Sequence, residues 1–408
     1  MKNLSNVLFY TFLEGMNKAI PFLLIPVYTR VLSKEDYALI EVFNLYLSAF
    51  TLLVFFNSNT YFQTRYYDFF KKQVYLVSYP VLVVLINILA LSLPFYLFVP
   101  ESAFYIYFIP IYALFFFYLS IQLIDWQMRE EKISYFTVQI SMTVINMVVS
   151  LVLILQFESG GEGRIWAVLL APVAIFCFFM PTKALTLYKK RPKKIELQVV
   201  KDIYLFGAHL LPYNLLNGWL RDNVARLYLL YSSQTLLLGT WAVVFNYAFV
   251  TNVIVNAVNL ALAPRLIKSL SNQDLKDFVK LMFMGAMFFV ILISCSTVFL
   301  IYSYNIFIGE QFHFDTYVPV VSTLCLGFFF NGVSVMVAHS LNYFKLPHYL
   351  SFSSMISVFA YIVMIVSMET SALNIAISYT ASFACLALIN SAVLIYKILP
   401  TQNDKSYS

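Results

Sequence analysis

The chain has 408 residues, of which 61% are hydrophobic, 18% aromatic and only 11% charged, with a formal net charge of +6 and a mean hydropathy of +0.79. Soluble domains carry roughly 25% charged residues, so this composition excludes a single water-soluble core and specifies a polytopic membrane protein. Cys177, Cys295, Cys325 and Cys385 stand in apolar runs without a CxxC and read as small core residues, not as disulfides or metal ligands.

In chain order, windows of about 20 apolar residues place about twelve spans, near 6–28, 38–57, 74–98, 103–123, 134–156, 165–187, 203–230, 239–262, 279–303, 317–338, 349–368 and 374–396. Short loops and windows rich in Leu, Phe and Ile predict helices throughout, not barrel strands. The first window carries Glu14 and Lys18 and shows no small-residue cleavage site, so it reads as a retained span and not as a signal peptide.

Basic residues fix the expected orientation. Lys2, Arg65, Lys71, Lys72, Arg129 and Lys132 fall on the side of the N-terminus, as do the run from Lys183 to Lys201 and the group Arg265, Lys268, Lys276 and Lys280. The opposite loops hold Arg30, Lys34 and Arg164. The excess predicts that both termini are cytoplasmic. The polar stretch KKRPKKIELQVVKD divides the chain into a six-helix bundle at 1–188, a basic linker at 189–202 and a second six-helix bundle at 203–400, with a short tail at 401–408. That even split suggests an internal duplication.

The seventh window, Ile203–Leu230, carries His209, Arg221, Asp222 and Arg226. A charge at the centre of a spanning helix costs roughly 2.5–3.5 kcal/mol on insertion scales, so these side chains are expected to face water or a partner. Asp222 and Arg226, like Glu14 and Lys18, are four residues apart and share a helical face. They can neutralise one another or line a polar path. Lys18, Arg221 and Arg226, with Arg30 and Arg65 at the two mouths, are the candidate contacts for an anionic substrate, because a guanidinium matches phosphate oxygens bidentately. Glu14, His209 and Asp222 are the titratable candidates for ion or proton coupling. Counted from entry near Ile203, a rise of about 1.5 Å per residue puts His209 roughly 9 Å deep and Asp222 roughly 28 Å deep, toward the outer mouth. Asn252, Asn256 and Asn259 form a stripe expected to hydrogen-bond between helices. No GxxxxGK[ST], HExxH or GxSxG occurs, so neither an enzyme nor a bound cofactor, metal or nucleic acid is expected.

Several segments resemble the polysaccharide flippase branch (O-antigen transporter, Wzx type) of the multidrug/oligosaccharidyl-lipid/polysaccharide exporter superfamily. They are PFLLIPVYTRVLSKEDYALIE from Pro21, NTYFQTRYYD from Asn59, WQMREEKISYF from Trp126 and SGGEGRIWAVLLAP from Ser159. GAHLLPYNLLNGWLRDNVARLYLLY, LGTWAVVFNYAF and ALAPRL follow in the same order. The chain departs from the family pattern at Ala38, where Gly is common, and at Ala225, where an acid commonly precedes the Arg; here the acid is Asp222. The resemblance implies two pseudo-symmetric six-helix bundles around a central cavity. It implies an undecaprenyl-pyrophosphate-linked oligosaccharide moved across the bacterial cytoplasmic membrane, driven either by coupling to a monovalent cation or proton or by downstream consumption of the substrate. Membrane lipids, a polymerase and glycosyltransferases are the implied partners. The rival reading is a multidrug or small-molecule cation antiporter of the same superfamily; a glycan polymerase would need a larger outer loop than Ser303–Thr316.

Overall fold

The computed structural model describes residues 22–66, 73–97, 104–179, 197–272, 274–344 and 346–398. Among the described residues there are helices and turns and no strand. In chain order the helices are α1 (Phe22–Val31), α2 (Lys34–Phe55), α3 (Ser58–Thr64), α4 (Gln73–Leu97), α5 (Ile109–Met128), α6 (Lys132–Leu155), α7 (Gly160–Phe179) and α8 (Leu197–Tyr213). A π-helical turn, Asn214–Leu220, leads into α9 (Arg221–Tyr231). Then come α10 (Thr235–Ser271), α11 (Leu275–Phe307), α12 (Tyr317–Tyr343), α13 (Pro347–Ser367) and α14 (Ala372–Ile398).

Ten of these elements are long and apolar enough to cross a membrane, so the chain is an all-α, multi-pass membrane protein. Their positions follow the windows read from the sequence. Helices α10 and α11 run further than expected, at 37 and 33 residues. The first and seventh windows do not appear as single spans. Of the first, the described part is α1, and Glu14 and Lys18 lie outside the described residues. The seventh is broken in three. Its helix also begins earlier than expected, at Leu197, because residues 197–202 of the expected linker are already helical.

The described residues form two compact units, one of 39–215 and one of 22–38 with 216–398. Their edges differ from a split at the basic linker. The helix α8 packs in the first unit, where Ile203 and Phe206 join Tyr61, Tyr79 and Val83. The Tyr204 hydroxyl donates to Asn87 Oδ1 at 2.8 Å, and Asn87 donates to the Val54 carbonyl at 2.9 Å. These bonds satisfy polar groups that burial would otherwise penalise. The core of this unit is aromatic and aliphatic, built on Phe43, Phe50, Phe62, Phe117 and Ile165.

Two of the sequence segments quoted above meet in the first unit. Tyr66, from the RYYD turn, donates to Asp125 Oδ1 at 2.8 Å. Arg129, from WQMREE, donates through Nε to Asp125 Oδ1 at 3.0 Å and to the Tyr66 oxygen at 3.2 Å. Burial pushes the Tyr66 phenol up to about 12, with Arg129 opposing and Asp125 adding to the shift. The neutral hydroxyl therefore stays available as a donor.

In the second unit the turn after α1 is held by the end of α11. The Thr29 hydroxyl donates to the Phe307 carbonyl at 3.2 Å and accepts from the Gly309 N–H at 3.0 Å. Gln311 donates to the carbonyls of Thr29 and Leu32 at 3.0 and 2.6 Å. Tyr37 meets Phe312 edge-on at 5.1 Å, and Phe22 stacks on Phe307 at 5.2 Å. The bundle behind this contact is built by α10, α12, α13 and α14.

Candidate functional site

The site grows out of the break in the seventh window. Pro212 has no N–H to give and its ring crowds the preceding turn, and Asn214, Asn217 and Gly218 follow it. The backbone widens there into the π-helical turn Asn214–Leu220, a form often found where a helix carries function. The widening is matched by side-chain hydrogen bonds. Asn214 donates to Asn57 Oδ1, and Asn57 donates to the Gly207 carbonyl at 3.3 Å, all within the first unit.

The second unit continues with α9, whose first residue is Arg221. Its side chain is among the largest that are fully buried, at 1% exposure. Nη1 donates to Asn217 Oδ1 at 2.6 Å, Nη2 donates to Ser357 Oγ on α13, and the guanidinium lies 4.8 Å over the Phe383 ring on α14. Three elements thus converge on one cation. Arg226 is half-buried. It donates to Asn223 Oδ1 at 3.0 Å and to the Asp222 carbonyl at 3.3 Å, and sits 6.0 Å from the Phe245 ring. Asn223 in turn donates to the Trp219 carbonyl at 2.7 Å. The Asp222 side chain is exposed, and its carboxylate lies within electrostatic reach of both Arg226 and Arg221. Phe245, Tyr361, Tyr379 and Phe383 form the aromatic wall beside them.

The other expected site residues are placed elsewhere. Arg30 is exposed, and donates to the Pro26 carbonyl at 3.2 Å and the Ile306 carbonyl at 2.8 Å, capping the end of α11. Arg65 is exposed at the end of α3 in the first unit. His209 belongs to that unit too, with its Nδ1–H donating to the Leu205 carbonyl at 2.6 Å. Reading the sequence missed Asn217, Asn223, Ser357 and Phe383. The i,i+4 spacing of Asn217 and Arg221 was a usable signal, as was the stripe of Ser353, Ser354 and Ser357 on α13, all buried. The asparagine stripe of α10 does hydrogen-bond between helices: Asn331 donates to Asn252 Oδ1 at 2.8 Å, and Asn259 donates to the Gly332 carbonyl at 3.1 Å. Among the described residues no group of His, Cys, Asp and Glu could hold a metal ion.

No protein-family profile matches the chain. A protein of the Lsg locus of Haemophilus influenzae is 24% identical over 282 residues, 67% of this chain and 68% of that protein. An uncharacterized membrane protein of the same organism is 26% identical over 268 residues, and the chain spans 64% of its length. Among solved structures, the inward-facing conformation of a multidrug resistance MATE family transporter of the MOP superfamily superposes with a TM-score of 0.73 at 11% identity, covering 95% of this chain and 96% of that one. The fold of this chain is thus that of a MATE transporter.

Proposed function

We propose that this chain is a transporter of the bacterial cytoplasmic membrane that moves an undecaprenyl-pyrophosphate-linked oligosaccharide, the repeat unit of an O-antigen or of a capsule or exopolysaccharide, from the inner to the outer leaflet by alternating access. The observation that carries this reading is the pair of cations beside the break in the seventh apolar window, with Arg221 buried against Asn217 and Phe383 and Arg226 half-buried against Asn223 and Phe245. A lipid tail can remain in the bilayer while its sugars take a wet route, but the diphosphate needs cations along the way. Arg226 is the contact we assign to it, and Arg221 is the fixed charge behind. Lys18, Arg30 and Arg65 guide the anion along its route. With no nucleotide-binding loop in the sequence, the drive comes from an ion or proton gradient, through Asp222, Glu14 or His209, or from consumption of the delivered glycan.

A second reading, a multidrug cation antiporter, is favoured by the description of the superposed structure as a multidrug resistance transporter and by the exposed Asp222. The two make opposite demands. In a strain lacking its own flippase, Arg226→Ala should lower surface glycan by about tenfold or more, the loss expected when a charge-assisted phosphate contact is removed. Lipid-linked precursor should accumulate on the cytoplasmic face. Normal surface glycan with Arg226→Ala, together with dye transport by the purified protein that Asp222→Asn abolishes, would overturn the flippase in favour of the antiporter.

A further inference from the structure

The hairpin of α10 and α11 is longer than a membrane requires. At about 1.5 Å per residue, 33 residues of α11 reach roughly 50 Å, against a hydrocarbon core of roughly 30 Å. The surface of α11 shows where the bilayer ends. Phe283, Met287, Ile291, Val298 and Tyr302 are 67%, 47%, 58%, 55% and 81% exposed, and their spacing puts them on one helical face. Phe283 to Tyr302 spans roughly 28 Å, the thickness of the core, and Tyr302 closes it as an interfacial aromatic would.

At the other end the same face continues as Lys280 and then Lys276, both exposed. A Cβ on Gly285 would lie 3.1 Å from Leu262 Cδ1, so position 285 of α11 is level with 262 of α10. By that register Lys280 lies level with Ile267 and Lys276 with Ser271. The exposed Arg265 and Lys268 of α10 fall in the same layer, and all four cations occupy a band roughly 9 Å deep. The acids of the hairpin are Asp274 and Asp277. Asp274 is engaged as the cap of α11, accepting from the Asp277 N–H at 2.9 Å. Lysines that extend a lipid-facing stripe by one and two turns sit at headgroup depth, where an ammonium meets phosphate oxygens.

We infer that Arg265, Lys268, Lys276 and Lys280 form a membrane-surface site on the α10–α11 hairpin that binds the phosphodiester headgroups of anionic phospholipids in the adjacent leaflet. The site is separate from the cations of α9 and does not depend on what the chain transports. It ties the hairpin to an anionic leaflet, which by the distribution of basic residues is the cytoplasmic one.

Native mass spectrometry of the purified full chain in uncharged detergent, titrated with phosphatidylglycerol or phosphatidylcholine, tests this. The wild type should retain phosphatidylglycerol preferentially. Changing the four residues to Gln should weaken that retention by about fivefold for each charge removed, and added salt should shrink the difference. The charge-preserving variant, with Arg265→Lys and the three lysines changed to Arg, should bind as the wild type does, and Lys34→Gln on the opposite face should change nothing. The inference fails if the Gln variant keeps the wild-type preference, or if Lys34→Gln loses as much. It fails equally if inorganic phosphate displaces phosphatidylglycerol at matched concentration, which would make this a free-anion site. A polyprenyl diphosphate that binds more than about tenfold tighter than phosphatidylglycerol would overturn it in favour of substrate capture.

Discussion

Helix α11 and the segment from Leu197 to Tyr231 are of similar length, yet they cross apolar surroundings in different ways. The first is one unbroken helix with an apolar exposed face. The second is α8, a π-helical turn and α9, with the turn carrying Asn214, Asn217 and Gly218 and with Arg221 following directly. Proline alone does not explain the break. Helix α4 contains Pro80 and Pro94 and helix α7 contains Pro172, and both remain continuous. What distinguishes the seventh window is that asparagines follow its proline, the first of them two residues on, and have partners to bond. The lesson is that an apolar helix keeps its i→i−4 ladder because nothing else can satisfy its backbone. The ladder loosens where side chains supply alternatives.

The largest effect expected from this comparison is at Arg221. Replacing it by Leu would leave Asn217 Oδ1 and Ser357 Oγ without their donor in a buried place and empty the space over Phe383. We expect Arg221→Leu to cost about 3 kcal/mol, read as a fall in the thermal unfolding midpoint in detergent. Arg221→Lys should fall between the two, because an ammonium keeps the charge without the fork. An unchanged midpoint for Arg221→Leu would mean that α9 is not tied to α13 and α14 through this side chain. The comparison with α11, whose helix runs unbroken, would then lose its basis.

How much of this was legible in the sequence follows the same line. Ten of the twelve windows read from the sequence correspond to helices of spanning length, because hydropathy over about 20 residues reports on burial in lipid, a property of the window and not of any one contact. The charges of the seventh window were equally plain. That Arg221 turns into the bundle while Asp222 stays exposed was not, because adjacent residues differ by roughly 100° of rotation and the π-helical turn shifts that rotation again. Ser357 and Phe383 lie far along the chain from Arg221, so their convergence depends on tertiary packing that no local pattern encodes. Arg30, a candidate substrate contact at a mouth, has a structural task as well. It caps α11 through the Ile306 carbonyl, and only the fold reveals which helix ends there.

The segment also contains two glycines that sharpen the contrast. Gly207, on α8, has no room. A Cβ there would lie 2.3 Å from Phe56 Cδ1 and 2.4 Å from the Phe56 carbonyl oxygen. The ring can turn away, but the carbonyl belongs to a tight turn in which Phe56 and Asn57 hold left-handed φ values of 44° and 59°, already costly for residues other than glycine. Gly207→Ala should therefore destabilise the first unit by about 2 kcal/mol, measured by the same thermal unfolding. An unaltered midpoint would show that α8 does not dock on this turn as closely as described.

Gly218, within the π-helical turn, is the opposite case and gives the smallest expected effect. A Cβ there meets nothing within 4 Å, and its φ is not in the left-handed region. Alanine at such a position restricts the unfolded chain without clashing in the folded one. We expect Gly218→Ala to stabilise the protein by about 0.5–1 kcal/mol, a rise of roughly 1–4 °C in unfolding midpoint for a chain of this class. The sign is what matters. A fall would mean that the turn needs its glycine for a backbone motion or a close approach. If the midpoint rises while transport slows, the break costs stability that the protein retains because its activity needs a segment that can bend. An unbroken helix such as α11 would then be unsuited to the place of the seventh span, however well it crosses the bilayer.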